Sequence, residues 1–378
     1  MLDPGDFYKF LNSIDVNFFT GVPDSLLKSF CGYVADHSPA NSHIISSNEG
    51  AAVGIGIGYH LATGNIPMVY MQNSGLGNAI NPLISLADQE VYSIPMIILI
   101  GWRGEPKTKD EPQHIKQGKV MLPMIKSMKM PYETLTGDFK KDKRIVKSLL
   151  KKAKESQGPV FLVAKKNIFK EYQYTQLVHK VTRKIKRTRE DVIRKIIPCF
   201  PKNTLIVATT GMASREIFEY RESLDSNQGL DFLTVGGMGH ASQIALGIAM
   251  KSNNKNIVCI DGDGAAIMHL GSMAIIGQFA PNNFKHILLN NGAHDSVGGQ
   301  PTVGFDLDFT KLAKSFGYKI VGTKNNQSIS ESVQELFSSN GPSFLELKIR
   351  CGSRADLGRP TKSPKENKNS FMQNFQKD

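Results

Sequence analysis

The chemistry-bearing residues of this chain cluster where apolar runs end. Ile257-Val-Cys-Ile260 breaks at Gly262-Asp263-Gly264, and His286-Ile-Leu-Leu289 breaks at Asn290-Asn291. A strand ending in Gly-Asp-Gly lets the backbone turn sharply, and a helix starting there turns its N–H groups toward an anion. Asp263 projects into that space, and Asn291, ending the adjacent strand, can reach the same small hard cation. One carboxylate, one amide oxygen and a backbone carbonyl make half an octahedron, which diphosphate oxygens and water complete. The spacing therefore points to a Mg²⁺-bridged diphosphate site. A dinucleotide fold is the rival, but Gly262-Asp-Gly264-Ala-Ala-Ile267 lacks the third glycine of G-x-G-x-x-G, and no Walker motif is present. A glycine turn beside a chance Asn pair is the plain alternative. Against it, Gly264 and Asn290 enclose 25 residues, the length of one helix–strand unit.

A second carboxylate stands at an expected helix start. Ser46-Ser-Asn-Glu49-Gly-Ala-Ala-Val53 places Glu49 before a helix whose Gly54, Gly56 and Gly58 permit close packing. On its own, a helix-start glutamate is commonly a dipole partner.

The elements that must position these residues alternate. In the first half, short apolar runs at 17–20, 43–46, 68–71, 96–100 and 160–164 end in glycine or polar residues, with helical patterns such as 50–63 and 78–88 between them. The second half repeats the scheme at 205–208, 232–235, 257–260, 286–289 and 344–349. Such alternation predicts α/β architecture, two open and mostly parallel sheets covered on both faces, with ligands at the carboxyl ends of the strands. The expected boundaries are a first domain over 1–165, a basic linker over 166–187 and a second domain with C-terminal tail over 188–378, with no central third domain. Thr188-Arg-Glu-Asp191 reads as the cap of the helix that follows the linker.

Composition narrows the partners. The 378 residues are 40% hydrophobic and 21% charged, as in ordinary globular enzymes. The net charge of +12 raises nucleic acid as a partner, but Lys and Arg concentrate over 140–194 and after Arg350, and neither stretch interleaves aromatics in an RNA-binding pattern. A basic surface that steers an anionic metabolite is the better reading. Cys31, Cys199, Cys259 and Cys351 lie far apart, which argues against a disulfide framework or a zinc site. No basic start with an apolar run opens the chain, and no apolar stretch approaches the ~18 residues of a membrane span. The expectation is a cytoplasmic protein that binds neither nucleic acid nor membrane.

The GDG turn followed one βα unit later by Asn-Asn resembles the signature of thiamine diphosphate enzymes. The resemblance implies that Asp263, Asn291 and the carbonyl of Ala293 ligate Mg²⁺ in the diphosphate-binding domain. In the pyrimidine-binding domain, Glu49 would protonate N1′ of the aminopyrimidine. Thr234-Val-Gly-Gly-Met238-Gly-His240 resembles the segment that bends the cofactor, with Met238 as the wedge and the Gly236 carbonyl receiving the 4′-amino group. Thr210, Gly211, Gly262, Gly264 and Ala265 complete the implied cofactor contacts. Sites between subunits, and hence a homo-oligomer, also follow from the family.

The compact form is most similar to phosphonopyruvate decarboxylases and next to sulfopyruvate decarboxylases. The segments that carry this are Thr20-Gly-Val-Pro-Asp-Ser-Leu-Leu27, Asp110-Glu-Pro-Gln-His-Ile-Lys-Gln-Gly118, Asn291-Gly-Ala-His-Asp-Ser-Val-Gly-Gly-Gln-Pro-Thr302 and Asp356-Leu-Gly-Arg-Pro-Thr361. Glu105-Pro-Lys-Thr108 departs from the pattern, which carries a glycine there. The implied reaction is decarboxylation of phosphonopyruvate to phosphonoacetaldehyde, toward 2-aminoethylphosphonate. Sulfopyruvate decarboxylation and carboligation of another 2-oxo acid are the alternatives. By the same resemblance, Asp24 occupies the position of an active-site acid in related pyruvate decarboxylases, His114 lies about where their histidine pair lies, with only one histidine here, and His294 and Asp295 follow the metal turn. The tail after the last strand starts near the ligand edge, so Arg354 and Arg359 are the candidates to bind the substrate's second anion through paired hydrogen bonds.

Overall fold

The computed structural model describes residues 1–175, 185–202, 204–224, 229–252, 254–322 and 327–376. The chain forms two compact units, Met1–Gln176 with Val297–Gln300, and Leu177–Ser296 with Pro301–Asp378.

The first unit is built on six parallel strands. These are β1 (Phe19–Gly21), β2 (His43–Ile45), β3 (Met68–Gln72), β4 (Met96–Gly101), β5 (Tyr132–Thr134) and β6 (Pro159–Ala164), in the order β2-β1-β3-β4-β6-β5. The central strands β4 and β6 are buried at every residue, as strands covered on both faces require. One face packs Phe7, Leu11, Phe30 and Val34, and the other packs Val53, Leu76, Leu83 and Met121. The short edge strand β5 is not legible as an apolar run, because all three of its residues are only partly buried.

Two helices of this unit matter for chemistry. Glu49–Thr63 is capped by the Asn48 side chain, which accepts from the Ala51 N–H at 2.9 Å, and ends at Gly64 in the left-handed region (φ 72). Of its glycines, Gly56 packs against Val69 and Pro67, whereas Gly54 and Gly58 have nothing within 4 Å where a Cβ would sit. The expected close packing therefore holds at Gly56 alone, because the other two lie on the exposed face with Ala51 and Leu61. The helix expected over 78–88 instead spans Leu76–Pro82 and then widens into a π turn over Leu83–Ala87. Much of the basic charge sits on Phe139–Ser156, whose buried face is Val146, Leu149, Leu150 and Ala153 while its lysines face solvent.

Residues 166–175 pack onto the same unit. Ile168 and Phe169 are buried, Phe169 stacks on Phe30 at 5.3 Å, and the Tyr172 hydroxyl donates to Asp36 at 2.9 Å. Residues 176–184 of the expected linker lie outside the described residues.

The second unit repeats the architecture with β7 (Leu205–Ala208), β8 (Asp231–Leu233), β9 (Ile257–Gly262), β10 (Phe284–Asn290), β11 (Lys319–Ile320) and β12 (Ser343–Lys348). Its sheet is parallel, in the order β11-β12-β10-β9-β7-β8. The helix Arg189–Ile196 opens this unit on a capping box in which the Thr188 hydroxyl and Asp191 carboxylate satisfy each other's backbone N–H. The six-strand α/β pattern in both units agrees with the architecture expected from the alternating runs. Among the described residues, no helix is long and apolar enough to cross a membrane.

Candidate active site

In the first unit, the candidate residues lie where strands end. Glu49 starts the helix after β2 and is buried, and its carboxylate accepts from the Asn78 side-chain amide at 2.8 Å. Gly75 is there of necessity, since a Cβ at that position would overlap the Glu49 carboxylate. Asp24, after β1, is fully buried. Its Oδ2 accepts from the Leu26 N–H at 3.2 Å, while Oδ1 has no partner. Gly101, the last residue of β4, is required in turn because a Cβ would collide with Asp24. Burial pushes the Asp24 carboxyl up to about 7, against the pull of the nearby Arg103 charge.

Arg103 and His114 meet at Asp110. Arg103 donates to Asp110 through Nε at 2.9 Å and through Nη2, and to the Ser25 hydroxyl at 2.6 Å. His114 Nδ1 lies 3.0 Å from Asp110 Oδ1. Burial works against the Asp110 charge, but hydrogen bonds from Arg103 and His114 hold the carboxyl below its usual range. Burial, countered in part by Asp110, lowers the His114 imidazole. In the departing loop, Lys107 adopts φ 71, the left-handed conformation that glycine takes freely and that costs another residue roughly 1–2 kcal/mol.

In the second unit, β9 and β10 are neighbours, and their ends converge as the spacing predicts. Asp263 is buried. It accepts from the Asn291 N–H at 3.3 Å and from the Thr302 hydroxyl. Burial pushes this carboxyl up to about 6, the hydrogen bonds opposing. No basic side chain reaches it within ion-pairing distance among the described residues. The turn is held by Asn290, which donates to Gly304 O at 2.7 Å and to Glu346 at 2.8 Å and accepts from the Gly292 N–H at 3.1 Å; Gly292 itself has φ 65.

Asn291 is oriented by its neighbours. Its Nδ2 donates to Asp295 at 2.7 Å and its Oδ1 accepts from the Ala293 N–H at 3.1 Å, leaving that oxygen a further lone pair. Asp295 also accepts from Arg189 at 3.2 Å and from the Gly352 N–H at 3.1 Å, and Arg189 is paired in turn with buried Glu216. Asp295 is thus tied to a candidate metal ligand through its amide.

Around this turn, the bare Cα of Gly264 faces His294 and Met238, whose atoms would stand 3.2 and 3.3 Å from a Cβ. Burial pushes the His294 imidazole down to about 4, the Asp295 charge opposing, so the ring is neutral near pH 7. Gly262 has open space where its Cβ would be, and Gly211 turns at φ 98 between Thr210 and the helix Met212–Ser223. Gly236, Gly237 and Met238 are only partly buried or exposed, and Ala265 is buried in the helix Asp263–Met268.

These features suit a hard divalent cation carrying a diphosphate. A buried carboxylate lacks a cationic partner, an amide oxygen is held beside it, and two glycines keep the adjoining backbone clear.

The tail arginines are placed differently from this cluster. Arg354 is surrounded by Glu190, Glu219 and Asp356, which take up its charge. Arg359 also has an interaction of its own. Sequence reasoning missed Asn78, Gly75, Thr302, Arg189 and Glu216, which reach the candidate residues only through folding.

Comparison with known proteins fits this picture. Residues 6–124 match the thiamine pyrophosphate enzyme N-terminal binding domain, and 209–347 match the C-terminal binding domain (thiamine pyrophosphate is thiamine diphosphate). Phosphonopyruvate decarboxylase of Streptomyces viridochromogenes is 31% identical over 97% of this chain and 93% of that protein. Its namesake from Streptomyces hygroscopicus is also 31% identical, over 97% and 92%. Sulfopyruvate decarboxylase of Methanosarcina acetivorans is 26% identical over 88% and 87%. With both binding domains present in order and a full-length match above 30%, the chain belongs to the thiamine pyrophosphate enzymes, in the family of the phosphonopyruvate decarboxylases.

Proposed function

We propose that this chain decarboxylates 3-phosphonopyruvate to phosphonoacetaldehyde and CO₂, taking up one proton, with thiamine diphosphate and Mg²⁺. The observation that carries the reading is the end-to-end identity to an enzyme of that name, on a chain whose diphosphate turn is intact. When bound, thiamine diphosphate supplies the electron sink for loss of CO₂. Asp263, Asn291 and the Ala293 carbonyl would hold the Mg²⁺. Thr210, Gly211, Gly236, Met238, Gly262, Gly264 and Ala265 would seat the cofactor. Glu49, kept in place by Asn78, would exchange a proton with the pyrimidine nitrogen.

Asp24 is the candidate proton donor to the product carbon, because a carboxyl raised to about 7 is substantially protonated under working conditions. His294 and His114, both shifted toward the neutral form, would serve as hydrogen-bonding groups beside the substrate. Asp295 would act through Asn291 by fixing its amide.

The substrate is a small anionic 2-oxo acid. Arg359 is the tail residue we assign to its phosphonate, and Arg354, held by Glu190, Glu219 and Asp356, the one we assign to anchoring the tail. The active form is a homo-oligomer in which Glu49 of one subunit serves the diphosphate turn of another. The exposed stripe of Ala51, Gly54, Gly58 and Leu61 on the Glu49 helix supports a closely packed second copy. Four cysteines that form no disulfide accord with a cytoplasmic setting, and the place in metabolism is the route to 2-aminoethylphosphonate.

Incubation with thiamine diphosphate, Mg²⁺ and separate 2-oxo acids, measuring CO₂ and aldehyde, tests the proposal. Phosphonopyruvate should be turned over far faster than sulfopyruvate or pyruvate. Preference for sulfopyruvate, or a condensation product without free aldehyde, would replace it.

A further inference from the structure

One buried group of polar side chains has no part in the proposed reaction. Cys259 and His286 are cross-strand partners on β9 and β10, and Asp261 lies two residues along β9, on the same face. All three are buried. A Cys sulfur, an Asp oxygen and a His nitrogen here lie within 4.8 Å of one another. Asp261 Oδ2 and both ring nitrogens of His286 have no hydrogen-bond partner, nor has the hydroxyl of Tyr318, whose ring centroid is 6.0 Å from that of His286.

The spacing discriminates between two kinds of contact. His286 Nε2 and Asp261 Oδ2 are 3.7 Å apart, too far for a hydrogen bond. Two ligands at about 2.0–2.2 Å from one tetrahedral ion stand roughly 3.4 Å apart, so the pair needs to shift only a few tenths of an ångström to share a cation. Unpartnered buried polar atoms are uncommon in folded proteins, and several facing one point call for an occupant. Thiolate, imidazole and carboxylate together suit a borderline divalent ion, unlike the all-oxygen set at Asp263 and Asn291.

We propose that Cys259, Asp261 and His286 form a second, structural metal site that takes Zn²⁺. Binding exchanges the thiol proton for a sulfur–metal bond and releases that proton to solvent. Asp261 also uses its other oxygen, which accepts from the Gly262 N–H at 3.0 Å. The ion therefore ties β9 to β10 and braces the backbone just before Asp263. Four widely spaced cysteines suggest no zinc site, because the ligands come from alternate residues of one strand and the facing residue of its neighbour.

The test uses the full-length protein produced with zinc, then passed through EDTA to remove Mg²⁺ and loosely held ions. Metal analysis should find about one zinc per chain, and Cys259→Ser and His286→Gln should lower it at least tenfold. Protein loaded with Co²⁺ instead should show a thiolate-to-cobalt charge-transfer band. Cobalt at Asp263 and Asn291 has oxygen ligands and gives no such band. Cys351 is the control, because its thiol lies 3.1 Å from the Asn291 carbonyl oxygen. Retention of the band in Cys351→Ser supports the assignment, and its loss there moves the metal to the other turn. The wild-type cobalt spectrum and this control do not depend on the cluster variants folding. No retained zinc and no charge-transfer band in the wild-type protein would overturn the proposal.

Discussion

Asp24 gives the most quantitative prediction. Its carboxyl is raised from 3.8 to about 7, first by burial, with Arg103 and the Leu26 N–H pulling the other way. The raised value belongs to the folded state, so the unfolded chain gives up this proton first. Below about pH 4 both states are protonated and Asp24 is neutral to stability. Between about 4 and 7 the folded state loses roughly 1.4 kcal/mol per pH unit relative to the unfolded chain, and above 7 the loss levels off near 4 kcal/mol. An asparagine at this position keeps an oxygen for the Leu26 N–H and has no proton to lose. Asp24→Asn should therefore gain on the wild type by about 2.5 kcal/mol between pH 5 and pH 8. The assay is urea unfolding of the cofactor-free proteins across that range, at equal protein concentration and followed by circular dichroism. Stability curves that stay parallel would refute both the raised carboxyl and the role of proton donor built on it. A gap that opens only above pH 8 would mean a different group titrates.

The remaining predictions concern the cofactor and substrate. Glu49→Gln should preserve the contact with Asn78 and the fold while lowering turnover about 10²–10⁴-fold. Mixing it with Asp263→Ala subunits under exchange conditions should restore part of the activity, and no recovery would place each site within one chain. Asp295→Ala should weaken Mg²⁺ binding, measured by calorimetry with thiamine diphosphate present, about 10–100-fold, since Asn291 loses the group that fixes its amide. Unchanged affinity would make Asp295 a structural acid only. Arg359→Ala should raise KM for phosphonopyruvate much more than for pyruvate. Arg354→Ala should affect both substrates equally and cost no more than about 1 kcal/mol per ion pair lost, because its partners are partly exposed.

What the sequence disclosed follows from how far each interaction reaches. Buried parallel strands such as β4, β6 and β7 are continuous apolar runs, so they are visible one window at a time. The edge strands β5 and β11 are two or three residues long and partly exposed, so they carry no such pattern. Asp263 and Asn291 stand out because a strand end and the turn after it are local features. Their supports lie elsewhere: Thr302 is 39 residues from Asp263, and Arg189 is 106 from Asp295. Asn78 likewise reaches Glu49 across 29 residues.

Arg354 shows the consequence most plainly. A basic tail looks available for an anion when it is judged by its neighbours in sequence, and only the fold brings Glu190 and Glu219 against it. Net charge therefore overstates what this edge of the second sheet can offer a substrate carrying two or three negative charges. Recognition of the phosphonate must rest on a few oriented donors, since a diffuse positive field attracts any small anion in proportion to its charge without fixing its oxygens. A guanidinium that pairs with two oxygens of the phosphonate, and whose truncation raises KM for that substrate selectively, is the form such a donor takes.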